Sequence, residues 1–146
     1  MVLVEAFEKP IDKYQQSIVA QTLFYIDDDK MPVFRRYISP EPNLTMYFCL
    51  SLLAKRGDED ALRILNINYY KYPVSSAQWA DTVEFFGKFK YRPAIPNLIK
   101  SLDSASLNLV DAAEESLERL FEGPHPPFKT IGEMKHYFES LYEKSR

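Results

Sequence analysis

The amino-acid sequence predicts an all-helical fold, and three observations support that prediction. Apolar residues recur at intervals of three and four along most of the chain, whereas the strict alternation of a half-buried strand is hard to find. The 146 residues include only four glycines, too few for the many tight turns of a sheet protein. Residues that favour helix ends flank several of the apolar runs. We therefore expect a single domain, residues 1–146, built from packed helices.

Helix-breaking and helix-capping residues set the predicted boundaries in the first half of the chain. Pro32 suits the first turn of a short helix. Asn43 suits an N-cap, and Gly57 suits the position just after a helix. Together with the periodicity, these signals predict helices over residues 12–26, 32–38, 44–56, 58–70, 75–88, 92–102, 106–121 (or from 104) and 130–144.

The second half carries two capping-box patterns and one rigid joint. Ser75 stands three residues before Gln78, and Thr130 stands three residues before Glu133. The segment 123–127, Gly-Pro-His-Pro-Pro, is predicted to be non-helical because its prolines exclude the helical hydrogen bonds. It separates the last predicted helix from the rest of the chain.

Composition excludes several classes of protein. The net charge of −3 and the pI near 5.4 argue against tight nucleic-acid binding, which needs clustered cations. The single cysteine, Cys49, lies in an apolar helical run and is expected to be a buried, inert thiol. The first residues lack the pattern of a secretion signal, and no apolar stretch approaches the roughly 20 residues that span a bilayer. We expect a cytoplasmic protein that binds neither membranes nor nucleic acid.

An internal repeat is visible in the predicted helices. Three of them align by apolar or small residues four apart, with a period of roughly 30 to 34 residues that fits a two-helix repeat. The aligned positions are Cys49, Leu53 and Gly57; Trp79, Val83 and Gly87; and Ala113, Leu117 and Phe121.

Residues 94–103, AIPNLIKSLD, and 109–117, LVDAAEESL, resemble a HEAT-like repeat of the short bacterial type, as found in relatives of phycobilin lyases. Asp111 stands where the family usually has arginine, and Phe121 stands where it usually has glycine. The resemblance implies a right-handed α-α superhelix with the second helix of each hairpin on its concave side. About three hairpins and two capping helices are implied, at residues 31–57, 58–90 and 91–121, with caps at 12–26 and 130–144.

The helix over 106–121 carries a polar stripe opposite its core positions. At helical spacing, this stripe consists of Asn108, Asp111, Glu115, Glu118 and Glu122. The acids in this row repel one another and gain no pairing from the row itself. Two interpretations stay open: a solvated face, or an acidic ridge on the concave surface that binds a basic partner.

Two earlier helices would extend this face. One contributes Gln78, Asp81 and Phe85, where Phe85 is either an exposed aromatic anchor or packed against a neighbouring repeat. The other contributes Tyr47 and Ser51. The alternation of cations and aromatic residues over 88–92 could stack bases, but one short turn on an acidic protein favours a solvated turn.

No catalytic or metal-binding motif stands out. The histidines, His125 and His136, have no second ligand at metal-binding spacing. Glu114, Glu115 and Glu118 are neighbouring acids, but a helix surface gives no pocket that would shift a pKa for acid–base catalysis. We therefore expect no catalytic residue, no metal and no cofactor.

The sequence favours a non-catalytic module that binds another, basic protein on its acidic and partly aromatic concave face. One specific form of this hypothesis is an immunity protein, monomeric on its own, that covers a basic toxin. The alternative implied by the repeat resemblance is a phycobilin lyase-like protein that handles a chromophore. A structural fragment that stacks with itself is a third hypothesis.

Overall fold

The computed structural model describes residues 12–26, 38–39, 41–123 and 125–146, and the regular secondary structure in these ranges is helical, with no strand. None of the helices in these ranges has the length and apolar character needed to cross a membrane. A short 3-10 turn, Arg92–Ala94, precedes the fifth helix. The α-helices are α1 Lys13–Ile26, α2 Leu44–Lys55, α3 Glu59–Ile67, α4 Ser76–Lys88, α5 Ile95–Ser101, α6 Leu107–Phe121 and α7 Ile131–Ser145.

Most predicted helix bounds agree with the structure to within one or two residues. The helix predicted to reach residue 70 instead ends at Ile67, where the Asn68 side-chain amide donates to the carbonyl of Ile64 at 3.1 Å. Tyr70 then takes a left-handed conformation with φ 65°, which no helix continues through. The helix predicted over 32–38 falls almost wholly outside the described residues.

Side chains cap the helices where the sequence predicts. The Asn43 side chain accepts a hydrogen bond from the backbone of Met46 at 2.8 Å, and so begins α2. Both bonds of the predicted capping box join Ser75 and Gln78 at the start of α4. At α7, Thr130 accepts from the Glu133 amide at 3.1 Å, while the Glu133 carboxylate accepts from the preceding Lys129 amide at 3.0 Å. In a capping box the Glu133 carboxylate would accept from the amide of the N-cap residue, Thr130, whereas here it accepts from the amide one residue earlier.

Left-handed residues follow three of the helices at similar spacing. Gly57 (φ 82°) follows α2, Lys90 (φ 54°) follows α4, and Glu122 (φ 52°) follows α6, so the three are roughly 33 residues apart. Gly57 and Lys90 close their helices with the same pair of backbone hydrogen bonds, the Schellman pattern. The sequence alignment paired Gly57 with Gly87, but Gly87 lies inside α4 and has a different role.

The chain divides into two compact units, residues 1–73 and 74–146. In the first, α2 packs against both α1 and α3. Every residue of α2 from Met46 to Ala54 is buried, with Phe48, Leu50 and Leu52 almost fully inaccessible. A helix that is apolar around its whole circumference is stable only when neighbours cover all of it.

In the second unit, α4 packs along α6, while α5 contacts both α6 and α7. The two helices α4 and α6 approach each other closely at Gly87, where an added Cβ atom would lie 2.7 Å from the Cα atom of Ser116. The buried Ser116 hydroxyl donates to the carbonyl of Val83 at 2.8 Å across the same interface. A glycine and a small hydroxyl residue thus set the separation of the two helices.

Replacing Gly87 by alanine is expected to destabilise the protein by about 1 to 3 kcal/mol, because the new methyl group meets the backbone of Ser116 and the helices must separate. Chemical denaturation measures the change. The sign of the change in unfolding free energy shows whether the close contact exists, since alanine in place of glycine inside an unconstrained helix stabilises it by roughly 1 kcal/mol.

Gly132→Ala is the matched control, because a Cβ atom at Gly132 in α7 would meet only the Thr130 hydroxyl, at an ordinary 3.7 Å. We expect this control to be neutral or mildly stabilising. Ser116→Ala, which removes the hydrogen bond but leaves the close approach, should cost only about 1 kcal/mol. A Gly87→Ala variant as stable as the parent would contradict the close contact.

Candidate functional site

A groove of about 310 Å³ lies between the N-terminal halves of α4 and α6. Small side chains on both helices leave this space open between them. Its acidic residues come from both helices, and each helix turn presents them toward the same opening. The lining residues are Ala77, Ala80, Asp81 and Glu84 from α4, and Asn108, Asp111, Ala112 and Glu115 from α6.

The groove carries an excess of negative charge. Arg119 pairs with Glu115 at 2.5 Å and brings one positive charge near the groove. The pKa of Glu84 is nevertheless raised above its usual value, first by partial burial and then by the charges of Asp81 and Glu115, with Arg119 acting in the opposite direction. A carboxyl group whose pKa rises beside other carboxylates lies in a site of negative potential.

The structure brings four of the predicted partner-binding residues into this groove: Asp81, Asn108, Asp111 and Glu115. The sequence analysis missed Glu84. The signal for it was present, because Glu84 stands three residues after Asp81 and therefore lies on the same face of a helix.

Three other predicted partner-binding residues are buried, so that assignment was wrong for them. Tyr47 and Ser51 are 2% and 1% exposed, because α2 is covered by α1 on one side and α3 on another. Phe85 is 9% exposed, since α4 is buried around most of its circumference, including at Thr82. None of the three presents an aromatic or hydroxyl group to a partner.

The last three predicted residues have local roles away from the groove. Gln78 is held in the capping box of α4, where its side-chain oxygen accepts from the Ser75 amide at 2.9 Å. Glu122, the left-handed residue after α6, lies 3.7 Å from the Lys90 ammonium group. Glu118 contacts the ring of His125. The acidic row of α6 is therefore divided among separate neighbours and is not one continuous ridge.

A second polar cluster forms where the proline-rich joint passes α6. His125 Nε2 contacts Glu118 and lies 3.2 Å from a Glu114 carboxylate oxygen. Burial lowers the pKa of His125, but a hydrogen bond to the Pro126 carbonyl and the charges of Glu118 and Glu114 outweigh it, so the pKa is raised. The sequence shows no second ligand for His125 at metal-binding spacing, because it is the path of the joint and not helical periodicity that brings His125 against α6.

Replacing Glu84 by glutamine is expected to stabilise the protein at neutral pH by up to about 0.5 kcal/mol, the usual limit for a surface substitution. The folded state raises the pKa of Glu84 above 4.5, so the charged carboxylate opposes folding as the pH rises from that value through the raised pKa. Thermal unfolding from pH 3 to 8 measures the difference in stability between the variant and the parent. This difference should vanish at the acidic end, about one pH unit below the ordinary pKa of a glutamate, where Glu84 is protonated in both states.

Glu143→Gln is the matched control, because Glu143 is exposed near the end of α7 and pairs only with Arg146 at 3.6 Å among the contacts described. Its stability difference should be small and should not follow the Glu84 profile. If Glu84→Gln proved less stable than the parent at neutral pH, the negative potential assigned to the groove would be wrong.

No family model, curated protein or solved structure matches the chain.

Proposed function

We propose that this protein is a non-catalytic binding module that holds a basic segment of a partner protein in the groove between α4 and α6. The observation that carries the proposal is the convergence of carboxylates from two helices, Asp81 and Glu84 from α4 with Asp111 and Glu115 from α6. Burial is the first cause of the raised pKa of Glu84 and the charges of Asp81 and Glu115 are the second, and a cationic side chain placed there would offset the second. Binding therefore gains free energy from charges that oppose one another in the free protein.

The shape of the groove favours a lysine or arginine side chain. Its volume of about 310 Å³ is at the small end for ligand pockets, and its walls include short apolar side chains beside the carboxylates. Long cationic side chains place their methylene stems on apolar surface and their charged ends on carboxylates. Arg119 already pairs with Glu115, so a partner cation would bind closest to Glu84 and Asp111.

For the architecture, we propose the HEAT-like superhelix of stacked hairpins. It is supported by the similar spacing of the left-handed residues Gly57, Lys90 and Glu122 after α2, α4 and α6, and by the packing of α5 on α6 as a helical pair. In this arrangement α4 and α6 are second helices of consecutive hairpins, and the groove between them belongs to the concave side.

A basic toxin is the partner class that we propose, with this chain acting as its cytoplasmic immunity protein. Its support is the acidity of the groove together with the small size and net negative charge of the chain. The phycobilin lyase-like alternative rests on the repeat resemblance alone. An absorbance shift on mixing with a bilin would favour it over protein binding.

A short arginine peptide, acetyl-Gly-Arg-Gly-Arg-Gly-amide, tests the groove directly. Titrated into the ¹⁵N-labelled protein, it should shift the amide signals of groove residues first, and added salt should weaken the effect because exposed ion pairs are screened. Asp111→Asn and Glu84→Gln should each weaken binding by about two- to fivefold, the size of one exposed ion pair. The same peptide with citrulline in place of arginine should bind far less.

Asp60→Asn is the matched control variant, because Asp60 is an exposed helical acid on α3 that pairs with Arg63 at 3.8 Å and lies outside the groove. We expect its peptide affinity to equal that of the parent. Shifts spread evenly over all surface acids, or equal losses in Asp60→Asn and Asp111→Asn, would argue against a groove-specific site.

A further inference from the structure

Three side chains with metal-ligating atoms converge where the proline-rich joint meets α6. Glu114 and Glu118 are four residues apart and so project from the same face of the helix. His125 approaches them from the joint, and one potential ligand atom from each of the three residues lies within 4.8 Å of the others. Two ligands of one zinc ion lie at most about 4.4 Å apart, since zinc–ligand distances are about 2.0 to 2.2 Å, so small side-chain rotations would bring all three onto one ion.

The tautomer of His125 leaves its second nitrogen facing this cluster. Nδ1 lies 2.8 Å from the carbonyl oxygen of Pro126, which accepts but does not donate, so the proton of the neutral ring is on Nδ1. Nε2 then presents a lone pair toward the carboxylates of Glu114 and Glu118. The Nε2 atom is shielded from solvent, and no contact that it makes has the geometry of a hydrogen bond. The two carboxylates and the imidazole nitrogen repel one another unless a cation lies among them, which is either the proton of an imidazolium or a metal ion.

Surrounding aromatic residues hold the imidazole in this orientation. Phe128 stacks on the ring at a centroid distance of 4.4 Å, and the buried Phe138 meets it edge to face at 5.8 Å. The backbone hydrogen bond at Nδ1 adds the outer-shell contact that metal-bound histidines usually make. The His125 side chain is 12% exposed, whereas Glu114 and Glu118 are 27% and 40% exposed. The open side therefore admits an ion and a water ligand.

We propose that Glu114, Glu118 and His125 form a binding site for a divalent transition metal, with Zn²⁺ the best match. One imidazole nitrogen and two carboxylates suit Zn²⁺, whereas Ca²⁺ and Mg²⁺ prefer oxygen ligands alone. The two carboxylate charges balance a divalent ion, and a bound water completes a four-coordinate shell. This site is separate from the α4–α6 groove, and the proposal does not depend on the proposed protein-binding function.

Zinc would fasten the joint to α6 and thereby fix the start of α7. Residues 125–128 contain no helix, and the joint has few backbone hydrogen bonds of its own among the described residues. A ligand that binds only the folded state stabilises it in proportion to the logarithm of its free concentration. The proposed role is therefore structural, and its readout is metal affinity together with thermal stability.

The full-length protein, stripped with a chelator and dialysed into metal-free buffer near neutral pH, is titrated with Zn²⁺ by calorimetry. We expect one ion per chain and a rise in the unfolding temperature that the chelator reverses. The near-isosteric variants Glu114→Gln and Glu118→Gln, and the variant His125→Gln, should each lower the Zn²⁺ affinity by about tenfold or more. Circular dichroism confirms that each variant is folded, and Ca²⁺ should not compete.

The matched control is His136→Gln, since His136 is the other histidine of the chain and is exposed on α7. It should bind Zn²⁺ with the affinity of the parent. The proposal is overturned if the parent shows no saturable Zn²⁺ binding, if His136→Gln loses affinity as His125→Gln does, or if both glutamine variants of the glutamates bind as tightly as the parent. Because two separate glutamates are tested, one variant that fails to fold leaves the other decisive.

Discussion

The close contact between α4 and α6 is the constraint on which the second unit depends. Gly87 has no side chain because the backbone of Ser116 occupies the space where one would lie. The buried Ser116 hydroxyl donates a hydrogen bond to the Val83 carbonyl, so this polar group is buried with its donor satisfied. Since the helices meet so closely at this point, their separation here is well determined. Beyond this contact, the carboxylates of the two helices line one groove.

Helix existence and helix ends were largely predictable because their causes are local. Asn43, Ser75 and Thr130 cap the helices that follow them through bonds that span three residues, and such bonds require no knowledge of the fold. The repeat alignment was less reliable, since it treated Gly57 and Gly87 as equivalent. Gly57 adopts a left-handed backbone conformation, whereas Gly87 allows two helices to approach closely. A sequence pattern does not distinguish these two roles of glycine.

The residues of the candidate site were predictable only where helical periodicity alone places them on the same face of a helix. Asp111 and Glu115 share a face by their spacing alone, and they do line the groove. Burial of Tyr47 and Ser51 depends on two neighbouring helices covering α2, a tertiary fact, although the nearly continuous apolar sequence of α2 already favoured complete burial. The approach of His125 to α6 depends on the path of the joint, which no periodicity describes.

The acids of α6 illustrate how one helix serves two electrostatic environments. Asp111 and Glu115 face α4, where other carboxylates surround them, while Glu114 and Glu118 face the joint, where an imidazole nitrogen completes a set of ligands. Adjacent residues in a helix differ in direction by about 100°, so the single step from Glu114 to Glu115 is sufficient to separate the two sites. A solvated acidic face requires no such convergence of partners from other segments. Because each group of acids instead meets a second segment of the chain, the two groups belong to different parts of the α6 surface.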